Sequence, residues 1–143
     1  MGLFSIPAAK LELLKALSCD DASIVRAAAG ALAANHRGPD LEQALIAKLQ
    51  SNDEGTVEQV LAALQRMGGE NTERELLRLA NESAFFRRYQ YFLLAALSAT
   101  AGEMTRERLP QLFASGVLNE WTLNAYFGKF LEKGEHVARR RFP

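Results

Sequence analysis

Several things are scarce in this chain, and each shortage removes a class of protein. A single cysteine, Cys19, excludes an internal disulfide and gives no sign of an oxidising compartment. Charge of one sign is missing: seventeen Lys and Arg offset seventeen Asp and Glu, so no net field draws the chain toward nucleic acid or a membrane. Long apolar runs are missing too. The longest, Phe92 to Leu97, falls far short of the roughly 20 residues that span a bilayer, so no membrane partner is expected. No stretch alternates with a period of two, which argues against half-buried strands. The opening Met1-Gly2-Leu3-Phe4-Ser5-Ile6 lacks a basic region followed by an apolar core, so a secretory leader is not expected and a soluble, cytoplasmic protein is.

What remains is an apolar, helix-patterned chain. Of its 143 residues 48% are hydrophobic, enough for one domain over 1–143 to bury about two-thirds of the surface the unfolded form exposes. Residues 1–72 hold six basic and nine acidic side chains and residues 73–143 eleven and eight, so net charges of −3 and +3 polarise the two halves mildly. Ala8, Leu11 and Leu14 share one helical face, as do Val25, Ala28, Ala29 and Leu32 at i, i+3, i+4 and i+7. Turn chemistry breaks the pattern at Ser18 to Asp21, His36 to Pro39, Ser51 to Gly55, Gly68-Gly69, Asn81 to Ser83, Ala101-Gly102, Ser115-Gly116 and Gly134. About eight helices are expected between them.

The breaks recur. Leu32, Leu64, Leu97 and Phe130 follow one another at nearly equal intervals. Such a period, about 33 residues, holds one helical hairpin whose apolar face needs stacked neighbours. Four repeats follow, at about 6–35, 39–67, 70–98 and 103–133, with a tail over 134–143. Within the first, Asp20-Asp21-Ala22-Ser23-Ile24-Val25-Arg26-Ala27-Ala28-Ala29-Gly30-Ala31-Leu32 resembles the short HEAT-like repeat of phycobilin lyases and bacterial scaffolds. The second keeps Leu49, Asp53, Val57, Val60, Leu61, Ala63 and Leu64 but has Glu58 in place of the arginine. The third retains Leu93, Leu94, Ala96 and Leu97, and the fourth mainly Phe127 and Phe130. The resemblance implies an all-α, right-handed α-solenoid of about four antiparallel hairpins whose second helices line a concave face. Tetratricopeptide hairpins have a similar period, but their tryptophan, tyrosine and proline positions are not met.

Catalytic chemistry finds little support. His36 and His136 lie far apart with no metal-ligating side chain at helical spacing, and a zinc site needs three or four convergent ligands. A nucleophilic cysteine needs positive neighbours, whereas Cys19 is followed by Asp20 and Asp21. Gly68-Gly69 follows Arg66-Met67 as a helix-ending cap rather than opening a phosphate loop. Asp20-Asp21 and Asp53-Glu54 precede second helices, where acidic side chains cap free amides. No enzyme, catalytic residue, metal or cofactor is expected.

Aromatic residues are uneven. Of twelve, only Phe4 precedes residue 85. Phe92, Phe127 and Phe130 sit near the repeat's leucine positions and are expected in the core. The run Phe85-Phe86-Arg87-Arg88-Tyr89-Gln90-Tyr91-Phe92 is too aromatic for one buried stripe. Arg87, Arg88, Tyr91, Trp121 and Asn124 form the candidate partner-binding surface, because exposed Tyr, Trp and Arg concentrate interface energy. Trp121 has a second reading, as a core residue covering the final hairpin. A protein partner is favoured, with nucleic acid and a homodimer as alternatives and a lyase-type accessory enzyme behind them. Arg139-Arg140-Arg141 is a solvated tail or a contact for phosphate or an acidic partner.

Overall fold

A computed structural model describes the backbone of residues 2–141 and the side chains of residues 8–133. The chain is 83% helical, and no strand occurs among the described residues. Among the described residues eight helices run as α1 (Gly2–Leu17), α2 (Ala22–Asn35), α3 (Pro39–Ala47), α4 (Glu54–Met67), α5 (Glu70–Ala80), α6 (Ser83–Thr100), α7 (Glu103–Ala114) and α8 (Glu120–Arg141), with a 3-10 turn at Lys48–Gln50 after α3.

The even-numbered helices α2, α4 and α8 start on their own side chains. Asp21 accepts from the Ser23 amide at 2.9 Å, Asp53 accepts from the Thr56 amide at 2.8 Å, and Asn119 Oδ1 accepts from the Thr122 amide at 2.8 Å. Each carboxylate or amide oxygen satisfies one of the amides that a first turn leaves free. The odd-numbered helices α3, α5 and α7 begin at Gly38, Gly69 and Gly102, none of which can cap itself. The first turns of α5 and α7 are held instead by a side chain from the preceding odd helix. Glu42 of α3 accepts from the Thr72 amide at 3.1 Å and the Thr72 hydroxyl at 2.6 Å. Glu73 of α5 accepts from Gly102 N at 2.7 Å, Thr105 N at 2.9 Å and the Thr105 hydroxyl at 2.6 Å.

Packing follows chain order. Helix α2 lies on α4, α4 on α6 and α6 on α8, while α1, α3, α5 and α7 touch in the same sequence. Leucines and alanines fill the layer between: Val25, Ala28, Ala29 and Leu32 from α2, Val57, Val60, Leu61 and Leu64 from α4, Leu93, Leu94, Ala96 and Leu97 from α6. The alanines of α2 bring its backbone close to α1 and α4, which longer side chains would prevent.

Three expectations fail, one in α8 and two among the core aromatics. Helix α8 passes through Gly134 without the expected turn and runs on to Arg141. Among the described side chains of α1, Ala8 and Leu11 are exposed, Leu14 is half-buried against the core and Leu17 is buried. Phe92 is 43% exposed, and Phe130 is half-buried beneath the Arg106 guanidinium, 4.4 Å from its ring, so of the three expected core aromatics only Phe127 is fully buried. Tyr89, not singled out in the sequence, takes the α6 core place.

Candidate functional site

All five expected surface residues are at least partly exposed. They divide between two helices that pack against each other, Arg87, Arg88 and Tyr91 on α6 and Trp121 and Asn124 on α8. Tyr91 keeps 65% of its surface open and Trp121 68%, which settles Trp121 outside the core. The interval that joins Leu97 to Phe130 also joins Arg88 to Trp121 and Tyr91 to Asn124, so corresponding positions of neighbouring helices carry the two pairs.

Local structure explains how so many aromatics coexist on α6. The helix is kinked at Tyr89, where φ −121° and ψ 24° leave the helical region. The Tyr89 ring turns inward and meets Phe85 with ring centroids 4.8 Å apart, within the range of favourable aromatic pairs. Tyr91 and Phe92, beyond the kink, are left facing solvent.

The arginines are weakly engaged. Arg88 Nε lies 3.6 Å from Glu54 of α4, a loose exposed pair of small energetic weight. Arg87 has no carboxylate within ion-pair distance among the described residues, and it borders a cleft of 470 Å³ with Asn81, Ser83, Phe86 and Ser115.

Elsewhere charged groups serve structure. Arg26 donates to Asp53 at 2.9 Å, a bond between α2 and the start of α4. The Thr56 hydroxyl and amide, with Arg26 behind them, hold the Asp53 carboxyl below the usual carboxylate range. A hydrogen bond from Lys10 lowers Asp40 in the same way, and Glu75 raises Arg78. Cys19 is half-buried, and its sulfur accepts from the Asp21 amide at 3.4 Å. His36 closes α2, its amide donating to Leu32 O at 2.8 Å. Among the described residues no three His, Cys, Asp or Glu side chains gather at metal-binding distance. The side chains of His136 and Arg139-Arg140-Arg141 lie outside the described residues.

Glu42 and Glu73 do not stand out in the sequence, yet they are among the few buried charges, 8% and 5% exposed. A signal is present: each stands four residues after a helix-opening glycine, Gly38 and Gly69. The chain matches no family model, no curated protein sequence and no solved structure.

Proposed function

We propose that the chain is a right-handed, HEAT-like solenoid of four hairpins that works as a non-catalytic scaffold or adaptor. It binds a protein partner through Arg87, Arg88, Tyr91, Trp121 and Asn124 on the second helices of its third and fourth repeats. One observation carries the reading: Tyr91, one helical turn from Arg88 on α6, and Trp121, on the α8 helix packed against it, are each about two-thirds exposed. Large aromatics of this kind are normally turned inward, and clustered with arginine they are the residue types that dominate interface energies. The successive packing of even helices on even and odd on odd supports the stacked arrangement.

The test is the Arg88→Ala, Tyr91→Ala double variant, compared with the native chain for retention of partners from a host extract. Partner affinity should fall by about 2 kcal/mol, roughly thirtyfold, while the melting temperature hardly moves. Retention of an unchanged partner set at unchanged strength refutes the surface. A salt series separates the alternative partner class, since binding to nucleic acid weakens steeply with salt and an apolar protein interface does not.

A further inference from the structure

We propose that the apolar groove on α7 and α8 is a docking site for a partner protein's amphipathic helix bearing an acidic side chain in its first turn. The groove has a volume of 430 Å³ and is lined by Arg106, Leu109, Pro110, Phe113, Leu123 and Leu131. Phe113 is 46% exposed, although Ala80, its counterpart one repeat earlier in α5, is buried. The counterpart of Pro110 is Leu77, also buried. One repeat earlier still, Leu49 is buried and Ile46 half-buried against the core. On α7 no described helix covers Pro110 and Phe113.

The chemistry of the occupant is written in a repeating position. Lys10, Glu42, Glu73 and Arg106 recur once per repeat, one on each odd helix. The first three each grip the start of the next odd helix. The two glutamates take its free amides, as described. Lys10, the basic one, grips differently: its ammonium donates to the Arg37 carbonyl at 2.6 Å and to Asp40 Oδ1, in the first turn of α3, at 2.8 Å. Arg106 is the fourth member and also basic, and its guanidinium lies over Phe130 with no carboxylate in ion-pair range among the described residues. A cation at this position cannot cap amides. What it can grip is a carboxylate in the first turn of a helix seated on the groove, as Lys10 grips Asp40. A second copy stacked end to end does not supply one, because the first turn of α1 contains no acidic residue.

The molecule provides its own probe. A synthetic peptide of residues 38–50, Gly-Pro-Asp-Leu-Glu-Gln-Ala-Leu-Ile-Ala-Lys-Leu-Gln, is the helix that Lys10 holds. Titrated into the full chain and followed by NMR, it should shift the Phe113, Leu123 and Leu131 resonances saturably. The Asp40→Asn peptide should bind about threefold more weakly, the size expected for one partly exposed ion pair. Against the Arg106→Gln protein the two peptides should bind alike, and Phe113→Asp should abolish both titrations while leaving the helical circular dichroism unchanged. The proposal fails if the peptide shifts Tyr91 and Trp121 instead, or if the Asp40→Asn peptide binds equally well to the native protein. It also fails if sedimentation shows that a second copy occupies the groove, or if Glu135→Gln alone moves the Phe113 resonance, which would assign the groove to the chain's own C-terminal segment.

Discussion

Replacing Glu73 by alanine strips the α7 first turn of its acceptor, leaving the Gly102 amide and the Thr105 amide and hydroxyl unpaired around a buried site. Buried donors without partners cost their full desolvation, so Glu73→Ala should lose about 2–4 kcal/mol in urea unfolding. Glu107→Ala, on the exposed side of α7, should change stability by less than about 0.5 kcal/mol. Equal losses for both variants would show that the Glu73 hydrogen bonds are dispensable. Asp53 acts at the surface and through pH. Its folded carboxyl titrates below its unfolded value, held there first by Thr56 and then by Arg26. Stability from this group is therefore present above the unfolded value of about 4 and is lost as pH falls through the lower folded value. Asp53→Asn keeps a cap but removes the titration, so thermal midpoints measured from pH 7 to pH 2 should fall less steeply in the variant. A parallel pair of curves would refute the assignment.

Glycines at the starts of odd helices set how elements meet. Gly68 and Gly69 both have positive φ, 68° and 128°, and both are strained by a side chain. They differ in surroundings: a Cβ on Gly68 meets nothing within 4 Å, whereas one on Gly69 collides with Glu42 Oε2. Gly68→Ala should thus cost about 1 kcal/mol from backbone strain alone. Gly69→Ala should cost clearly more, because Glu42 must also leave Thr72, and a smaller loss than at Gly68 would contradict the clip. Sequence reading reaches its limit at this contact. Caps such as Asp21 and Asp53 are legible because cap and amide lie two or three residues apart, and Val25, Leu61 and Leu93 because central helices are packed on both sides. The clip from Glu42 to Thr72 joins α3 to α5, 30 residues apart, and nothing within its own turn marks it. The proposed binding surface is legible as residue types, but the kink at Tyr89 that sorts inward from outward aromatics is not.

At the scale of the molecule, burial is concentrated in the middle helices. Helix α4 buries Thr56, Val57, Val60, Leu61, Ala63 and Leu64 between α2 and α6, whereas α7 buries only Thr105, Leu109 and Leu112 and leaves Phe113 and Pro110 open. If the helix pairs stack as proposed, stability is the sum of each unit's own stability and its nearest-neighbour interfaces, and a unit with one covered face opens before a unit with two. The α7–α8 pair should accordingly exchange its amide hydrogens through an opening of lower free energy than α4 and α6. Native-state hydrogen exchange in low urea should show α7 amides merging into a sub-global opening while the Val60 and Leu64 amides exchange only by global unfolding. Uniform protection across α4 and α7 would mean a single cooperative core rather than a stack. The same measurement bears on function, because a partner helix seated against Phe113 and Arg106 should raise α7 protection toward that of α4, and a partner bound only at Tyr91 and Trp121 should leave it unchanged.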